Sequence, residues 1–116
     1  MADEVVRDRL RHMLDAIAAI EGYIEDVSAE SFAANRMLRD AVERNIERLS
    51  EASRHLPQAL QQKHPEVDWR GVATIGNVLR HAYHRVANRR IWQIVTEDLP
   101  PLKMALMAMM KEAGEQ

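Results

Sequence analysis

The chain of 116 residues has a hydrophobic fraction of 47%, a charged fraction of 29% and a formal net charge of −2 at pH 7. These values are typical of one soluble globular domain over residues 1–116, and they exclude a disordered chain or a uniformly basic nucleic-acid coat. The absence of cysteine excludes disulfides, thiol nucleophiles and thiolate metal sites.

Amphipathic helices are predicted throughout the first half of the chain, because apolar residues recur there at intervals of three and four. Ser28 has a side chain suited to capping the second of these helices. Pro57 ends the third, because a proline disfavours helix at the residue before it. The predicted helices are, in chain order, residues 3–26, 30–34 and 38–56.

Prolines and an aspartate mark the helix boundaries of the second half. Asp68 is suited to capping a helix, and Pro100 and Pro101 begin the last one. Gly71 and Gly76 weaken the helix after Asp68 by about 1 kcal/mol each relative to alanine, although a glycine also allows another backbone to approach closely. The predicted elements are a short turn over 59–63 and helices over 69–84, 87–98 and 100–110. With no strand pattern, we expect an all-α fold, namely an antiparallel bundle of four long helices plus short helices.

Several other classes of protein and site are not expected. The sequence begins without a signal-peptide pattern and no apolar run is long enough to span a membrane, so we expect a cytoplasmic protein with no membrane partner. His12, His55 and His64 are scattered without the spacing of metal ligands, so no metal site is predicted. Methionines near the C-terminus are interpreted as core residues, or alternatively as a dimer or partner surface; they are Met104, Met107, Met109 and Met110.

One segment, from Trp69 to Thr96, is locally basic. It holds five arginines, two histidines and no acidic residue, whereas residues 1–68 carry nine basic and fourteen acidic residues. A confined basic surface favours an anionic ligand such as a phosphodiester. Histidine is also the side chain best suited to moving protons near neutral pH. The segment is therefore where we expect chemistry.

Asn77 and His81 are four residues apart, so on a helix they share a face, and Arg80 and His84 form a second such pair. A histidine beside an amide and a guanidinium can deprotonate a ribose hydroxyl or protonate a leaving oxygen, with no metal or cofactor. Nearby positive charge stabilises the phosphate in the transition state. A solvated helix face is the alternative that spacing alone leaves open, because polar pairs at this spacing are common.

The order of the residues in this segment resembles the signature of a known family. Asn77-Val78-Leu79-Arg80-His81-Ala82-Tyr83 is similar to the motif of the HEPN superfamily, specifically of its HepT-like toxin branch. Three further segments look like parts of that family: its second long helix, its proline-to-tryptophan turn and its closing segment. These are residues 44–56, residues 65–69, and residues 91–95 with 98–100.

The resemblance implies an all-helical homodimer whose paired motifs face each other across a cleft. It implies a metal-independent endoribonuclease toxin that acts on RNA and not DNA, and whose antitoxin is a minimal nucleotidyltransferase. Carried over to this sequence, His81 is the acid/base residue, Asn77 its polar helper and Tyr83 the site of adenylylation. Arg80 is a further catalytic candidate, and the RNA contacts would come from Arg80, His84 and Arg85.

The chain departs from the family motif at Gly76, where an arginine is expected. A glycine has no charged side chain to stabilise a phosphate oxygen, and losing such a contact costs roughly a hundredfold in rate. Arg80 is the candidate replacement, although neighbours on a helix point about a hundred degrees apart. Two alternatives therefore stay open: a non-catalytic HEPN module that binds RNA, nucleotide or a nucleotidyltransferase, and a structural helical adaptor.

Overall fold

A computed structural model describes residues 2–82 and 84–114, with side chains outside residues 2–3 and 84–86. Within those ranges the protein is all helical and contains no strand, as predicted. The elements are α1 (Ala2–Ile24), α2 (Ala29–Ala34), α3 (Arg36–Ser53), α4 (Gln58–Gln62), α5 (Trp69–His81), α6 (His84–Gln93), a π-helical turn (Ile94–Asp98) and α7 (Leu99–Gly114). No helix among the described residues has the length and apolar character needed to cross a bilayer.

Polar side chains define the starts of the helices. The Ser28 hydroxyl accepts a hydrogen bond from the Ser31 amide at 3.1 Å, and Asp68 Oδ1 accepts one from the Gly71 amide at 3.0 Å, so both predicted caps are confirmed. The sequence interpretation missed Asn35. Its side-chain oxygen accepts from the Leu38 amide at 3.0 Å and begins α3, while its own backbone amide ends α2. One residue thus separates the two helices.

The core is built around α1 and α3. Helix α1 packs between α3 and α7, and α3 also contacts α2, α5 and α6. Burying an aliphatic or aromatic side chain contributes about 1.5–3 kcal/mol relative to leaving it exposed, so this shared interior is the main stabilising feature. The most deeply buried apolar side chains are Leu10, Met13, Ile17, Ile20, Phe32, Val42, Ile46, Leu106 and Met109.

The boundary between α5 and α6 differs from the prediction. Helix α5 ends at His81 rather than His84, because Ala82 is extended, with φ −84° and ψ 151°. The predicted pairing of Arg80 with His84 on one helix is therefore wrong. Beyond this break, α6 carries Trp92 against Phe32 of α2, with ring centroids 5.1 Å apart, and this tertiary contact is not visible in the local sequence pattern.

The segment from α6 to α7 is helical without a break. The amide of Leu99 donates to the Ile94 carbonyl five residues earlier, which gives the π-helical turn. Pro100 and Pro101 lie in the first turn of α7, where a missing N–H costs little. Met109 is fully buried, as the core interpretation predicts, whereas Met104 is 70% exposed; the partner surface stays a prediction.

Candidate active site

Helix α5 presents one continuous face to solvent. Residues at successive intervals of three and four are exposed there, whereas Gly76 and Leu79 are buried on the other side. We call this face the α5 outer stripe; it consists of Arg70, Thr74, Asn77, Val78 and His81. Asn77 and His81 therefore share a solvent-facing surface, as their spacing predicts.

His81 is the last residue of α5, and its side chain is exposed. Arg80 and His81 both lie in the last helical turn, where the negative end of the helix dipole favours cationic side chains. An accessible imidazole beside an exposed amide is an arrangement that can exchange protons with a bound substrate. A histidine enclosed in the apolar core would have excluded that chemistry.

Arg80 lies beside the α5 outer stripe, on the side that faces α3. Its Nη1 donates to Glu47 Oε1 at 3.1 Å; the Arg80 side chain is 56% exposed and that of Glu47 25%. A guanidinium carries five N–H donors, so the contact with Glu47 leaves others available to a ligand. Arg80 is thus held next to His81 by its contact with α3.

Gly76 is buried against α3. A Cβ atom at this position would lie 3.6 Å from Glu47 Cγ, 3.7 Å from Glu47 Cα and 3.9 Å from Ser50 Cβ. These are ordinary contact distances for a methyl group. Gly76, where the resemblance leads us to expect an arginine, therefore lies where α5 packs against α3.

A second set of contacts fixes α5 on α3. The Ala73 carbonyl accepts hydrogen bonds from Ser50 Oγ at 3.0 Å and from Arg54 Nε at 2.9 Å. Arg54 also pairs with Glu51 three residues earlier, at 2.9 Å. Glu47 differs, because its partner Arg80 is 33 positions away in sequence. No local pattern could have revealed this contact.

The other predicted site residues fall at or outside the limits of the described structure. Tyr83, the adenylylation candidate, lies outside the described residues, as do the side chains of His84 and Arg85. Their proposed roles stay predictions. Within the described part of the chain, no group of three or more His, Asp or Glu side chains is arranged to hold a metal ion.

His64 has a structural position that the sequence did not reveal. It is buried, and its two ring nitrogens lie 3.4 Å from a Glu66 carboxylate oxygen and 3.2 Å from one of Glu112. Its carbonyl accepts a hydrogen bond from Trp69 Nε1 at 3.0 Å. His64 therefore ties the loop before α5 to the end of α7 and stands apart from the candidate site.

Comparison with known proteins matches residues 13–109 to the family model described as Ribonuclease HepT-like. The chain is 36% identical over 97 residues to the "Probable ribonuclease HepT" of Thermococcus cleftensis, covering 84% of this chain and 88% of the relative. It is 31% identical over 103 residues to a Methanocaldococcus jannaschii protein provisionally named an RNase, covering 89% and 94% of the two chains.

A second protein of Methanocaldococcus jannaschii, named for a gamma-glutamylcyclotransferase together with a provisional RNase, is 33% identical over 107 residues. That match covers 92% of this chain but 48% of the relative, so the chain spans about half of that longer protein. No solved structure matches. The family match covers most of the chain, and with the Thermococcus relative it shows that this protein belongs to the HepT-like ribonuclease family of the HEPN superfamily.

Proposed function

We propose that the protein is a metal-independent endoribonuclease toxin whose acid/base residue is His81. The observation that carries the proposal is that Asn77 and His81 are exposed together on the α5 outer stripe, within the segment that resembles the family motif. The guanidinium of Arg80 lies beside them on the α3 side. The names of the related proteins, which refer to ribonucleases, support RNA as the substrate.

The chemistry is a transesterification at a phosphodiester. The His81 imidazole removes the proton of a ribose 2′-hydroxyl, whose oxygen attacks the adjacent phosphorus. The bond from phosphorus to the 5′-oxygen breaks, and that oxygen receives a proton from an imidazolium, so that a cyclic phosphate and a 5′-hydroxyl result. The Asn77 amide and the Arg80 guanidinium donate hydrogen bonds to the phosphate oxygens as negative charge shifts onto them.

The proposal includes a homodimer in which two copies of His81 face one cleft, so that one imidazole acts as base and the other as acid. It also includes the bundle arrangement, with α1, α3, α5 with α6, and α7 as its four long elements. The antitoxin is a minimal nucleotidyltransferase, and Tyr83 is the residue that it adenylylates. Exposed apolar side chains such as Val78, which is 52% exposed within the α5 outer stripe, are suited to a subunit contact.

Expression of the wild type and His81→Ala in a sensitive host, followed by RNA cleavage with purified protein in the presence of a chelator, tests this function. We expect the wild type to arrest growth and cleave RNA, and His81→Ala to lose about a hundredfold or more in cleavage rate. Thr74→Ala is the matched control, because Thr74 is exposed on the same stripe without a predicted role. Equal growth of both strains with intact RNA would refute the proposal.

A second candidate function is a non-catalytic module that binds RNA, nucleotide or a nucleotidyltransferase partner. The glycine at position 76 favours it, because this residue has no charged side chain to stabilise a phosphate oxygen during cleavage. Wild-type protein that binds RNA tightly but leaves it intact, with His81→Ala behaving identically, would select this function. Metal-independent cleavage by the wild type would exclude it.

A further inference from the structure

Helices α1 and α3 form a groove that lies outside the predicted motif. It has a volume of about 580 Å³ and is lined on one side by residues of α1 and on the other by residues of α3. We call it the α1–α3 groove; its charged and aromatic lining residues are Arg9, His12, Asp15, Tyr23, Arg44, Glu47, Arg48 and Glu51. From Arg9 to Tyr23 the groove follows about 21 Å of α1, at 1.5 Å per residue.

The carboxylates of the groove are mostly neutralised within the protein. Glu47 pairs with Arg80 at 3.1 Å, and Glu51 pairs with Arg54 at 2.9 Å and lies 3.4 Å from His55 Nε2. All three of these partners belong to the surface outside the groove lining. The acidic side chains therefore contribute little net negative charge to the groove.

The arginines of the groove, by contrast, are not neutralised by ion pairs with the described side chains. Arg9, Arg44 and Arg48 form no ion pair with any side chain that the structure describes. Asp15 is the one carboxylate of the groove lining that likewise forms no ion pair with a described side chain. Three uncompensated guanidinium groups against one carboxylate leave a local positive excess, which attracts a polyanion.

The groove also offers an aromatic ring. Tyr23 lines it and is 45% exposed. Exposed aromatic rings beside positive charge are the pattern by which proteins bind single strands, because bases stack on the ring while the phosphates follow the cationic groups.

Glu47 connects the groove to the candidate site. Its side chain lines the groove and bonds to Arg80, which is adjacent to His81 in sequence. A strand that leaves the groove past Glu47 therefore arrives beside Arg80 and the α5 outer stripe.

We propose that the α1–α3 groove binds single-stranded RNA, with phosphates on Arg9, Arg44 and Arg48 and a base stacked on Tyr23, and that it guides the strand to His81. This inference rests on the proposed function and extends it, because it assigns the substrate path to a surface outside the family motif. Binding of RNA in the groove does not require cleavage, so it can be measured with a variant that cannot cleave.

Fluorescence anisotropy of a single-stranded RNA, titrated with full-length His81→Ala protein at several salt concentrations, tests the groove. We expect Arg44→Gln with Arg48→Gln to weaken binding about tenfold and to reduce the slope of log K against log salt by about 1.4, since each phosphate contact on a single strand contributes about 0.7. Tyr23→Ala should weaken binding about tenfold without changing that slope.

The matched control is Arg36→Gln with Lys111→Gln, which removes the same charge from exposed positions outside the groove. If the groove variants bind RNA as tightly as this control while the wild type still cleaves RNA, the proposal that the groove binds RNA is refuted. The proposed function then remains intact. Wild-type protein that neither binds nor cleaves RNA would overturn both. Circular dichroism of each variant shows whether the fold is kept, and Tyr23→Phe, which retains the ring, should restore the binding that Tyr23→Ala loses.

Discussion

Replacing each of the two glycines of α5 with alanine tests the packing of this helix on α3. At Gly76 the added methyl would lie 3.6–3.9 Å from Glu47 and Ser50, within ordinary contact distance. Alanine is favoured over glycine by about 1 kcal/mol in a helix interior, so Gly76→Ala should stabilise the protein by about that amount. At Gly71 the methyl would lie 2.5 Å from Asp68 Oδ2, so Asp68 must move and its cap on the Gly71 amide is lost.

Loss of the Asp68 cap costs about 1 kcal/mol, which cancels or exceeds the helix propensity gained at Gly71. Gly71→Ala should therefore be neutral or destabilising, in contrast to Gly76→Ala. Urea denaturation followed by circular dichroism measures both free energies of unfolding. Gly76→Arg is the third variant, and overpacking against α3 should destabilise it by about 1–3 kcal/mol.

Two outcomes would refute this reasoning. If Gly76→Ala is destabilised as much as Gly76→Arg, then the space beside α3 is smaller than the 3.6 Å contact with Glu47 indicates. If Gly76→Arg instead keeps its stability and raises RNA cleavage, then the side chain at this position reaches the cleft. The Gly76→Arg variant therefore tests the packing of α5 against α3 first, and it tests catalysis only if the protein remains stably folded.

Three further predictions concern Asn35, Phe32 and Glu47. Asn35→Ala should lower the free energy of unfolding in urea by about 1 kcal/mol because α3 loses its cap, whereas Asn35→Asp should retain it. Phe32→Ala should cost about 3–5 kcal/mol and shift the fluorescence of Trp92, since Phe32 is 1% exposed; Met37→Ala, at an 82% exposed position, is the control and should have little effect. Glu47→Gln should tighten RNA binding severalfold in anisotropy titrations, because Arg80 loses its partner carboxylate; weaker binding would contradict a phosphate contact by Arg80.

Local signals in the sequence were sufficient for most of the fold. Ser28 and Asp68 cap helices by accepting a hydrogen bond from the amide three residues later in the chain. Such local contacts can be predicted from residue type and position. The helical class and the exposure of Asn77 and His81 on one face follow in the same way from spacing. The family match then confirmed the resemblance that the motif had indicated.

Features that depend on distant residues could not be predicted. The end of α5 at His81 has no glycine or proline to mark it, and the contact of Trp92 with Phe32 joins residues that are distant in sequence. The pairing of Glu47 with Arg80 joins residues that are far apart in the chain. A sequence pattern shows which residues share one face of a helix. It does not show which face of another helix packs against them.

The single carboxylate of Glu47 belongs at once to two surfaces, the α1–α3 groove and the neighbourhood of His81. If the groove binds RNA and His81 cleaves it, these surfaces cannot evolve separately. A substitution of Glu47 selected for a new target strand would then also alter the charge next to the reacting phosphate. Conversely, a substitution of Arg80 would leave the Glu47 carboxylate unpaired beside the incoming strand. We therefore expect positions 47 and 80 to covary among related proteins.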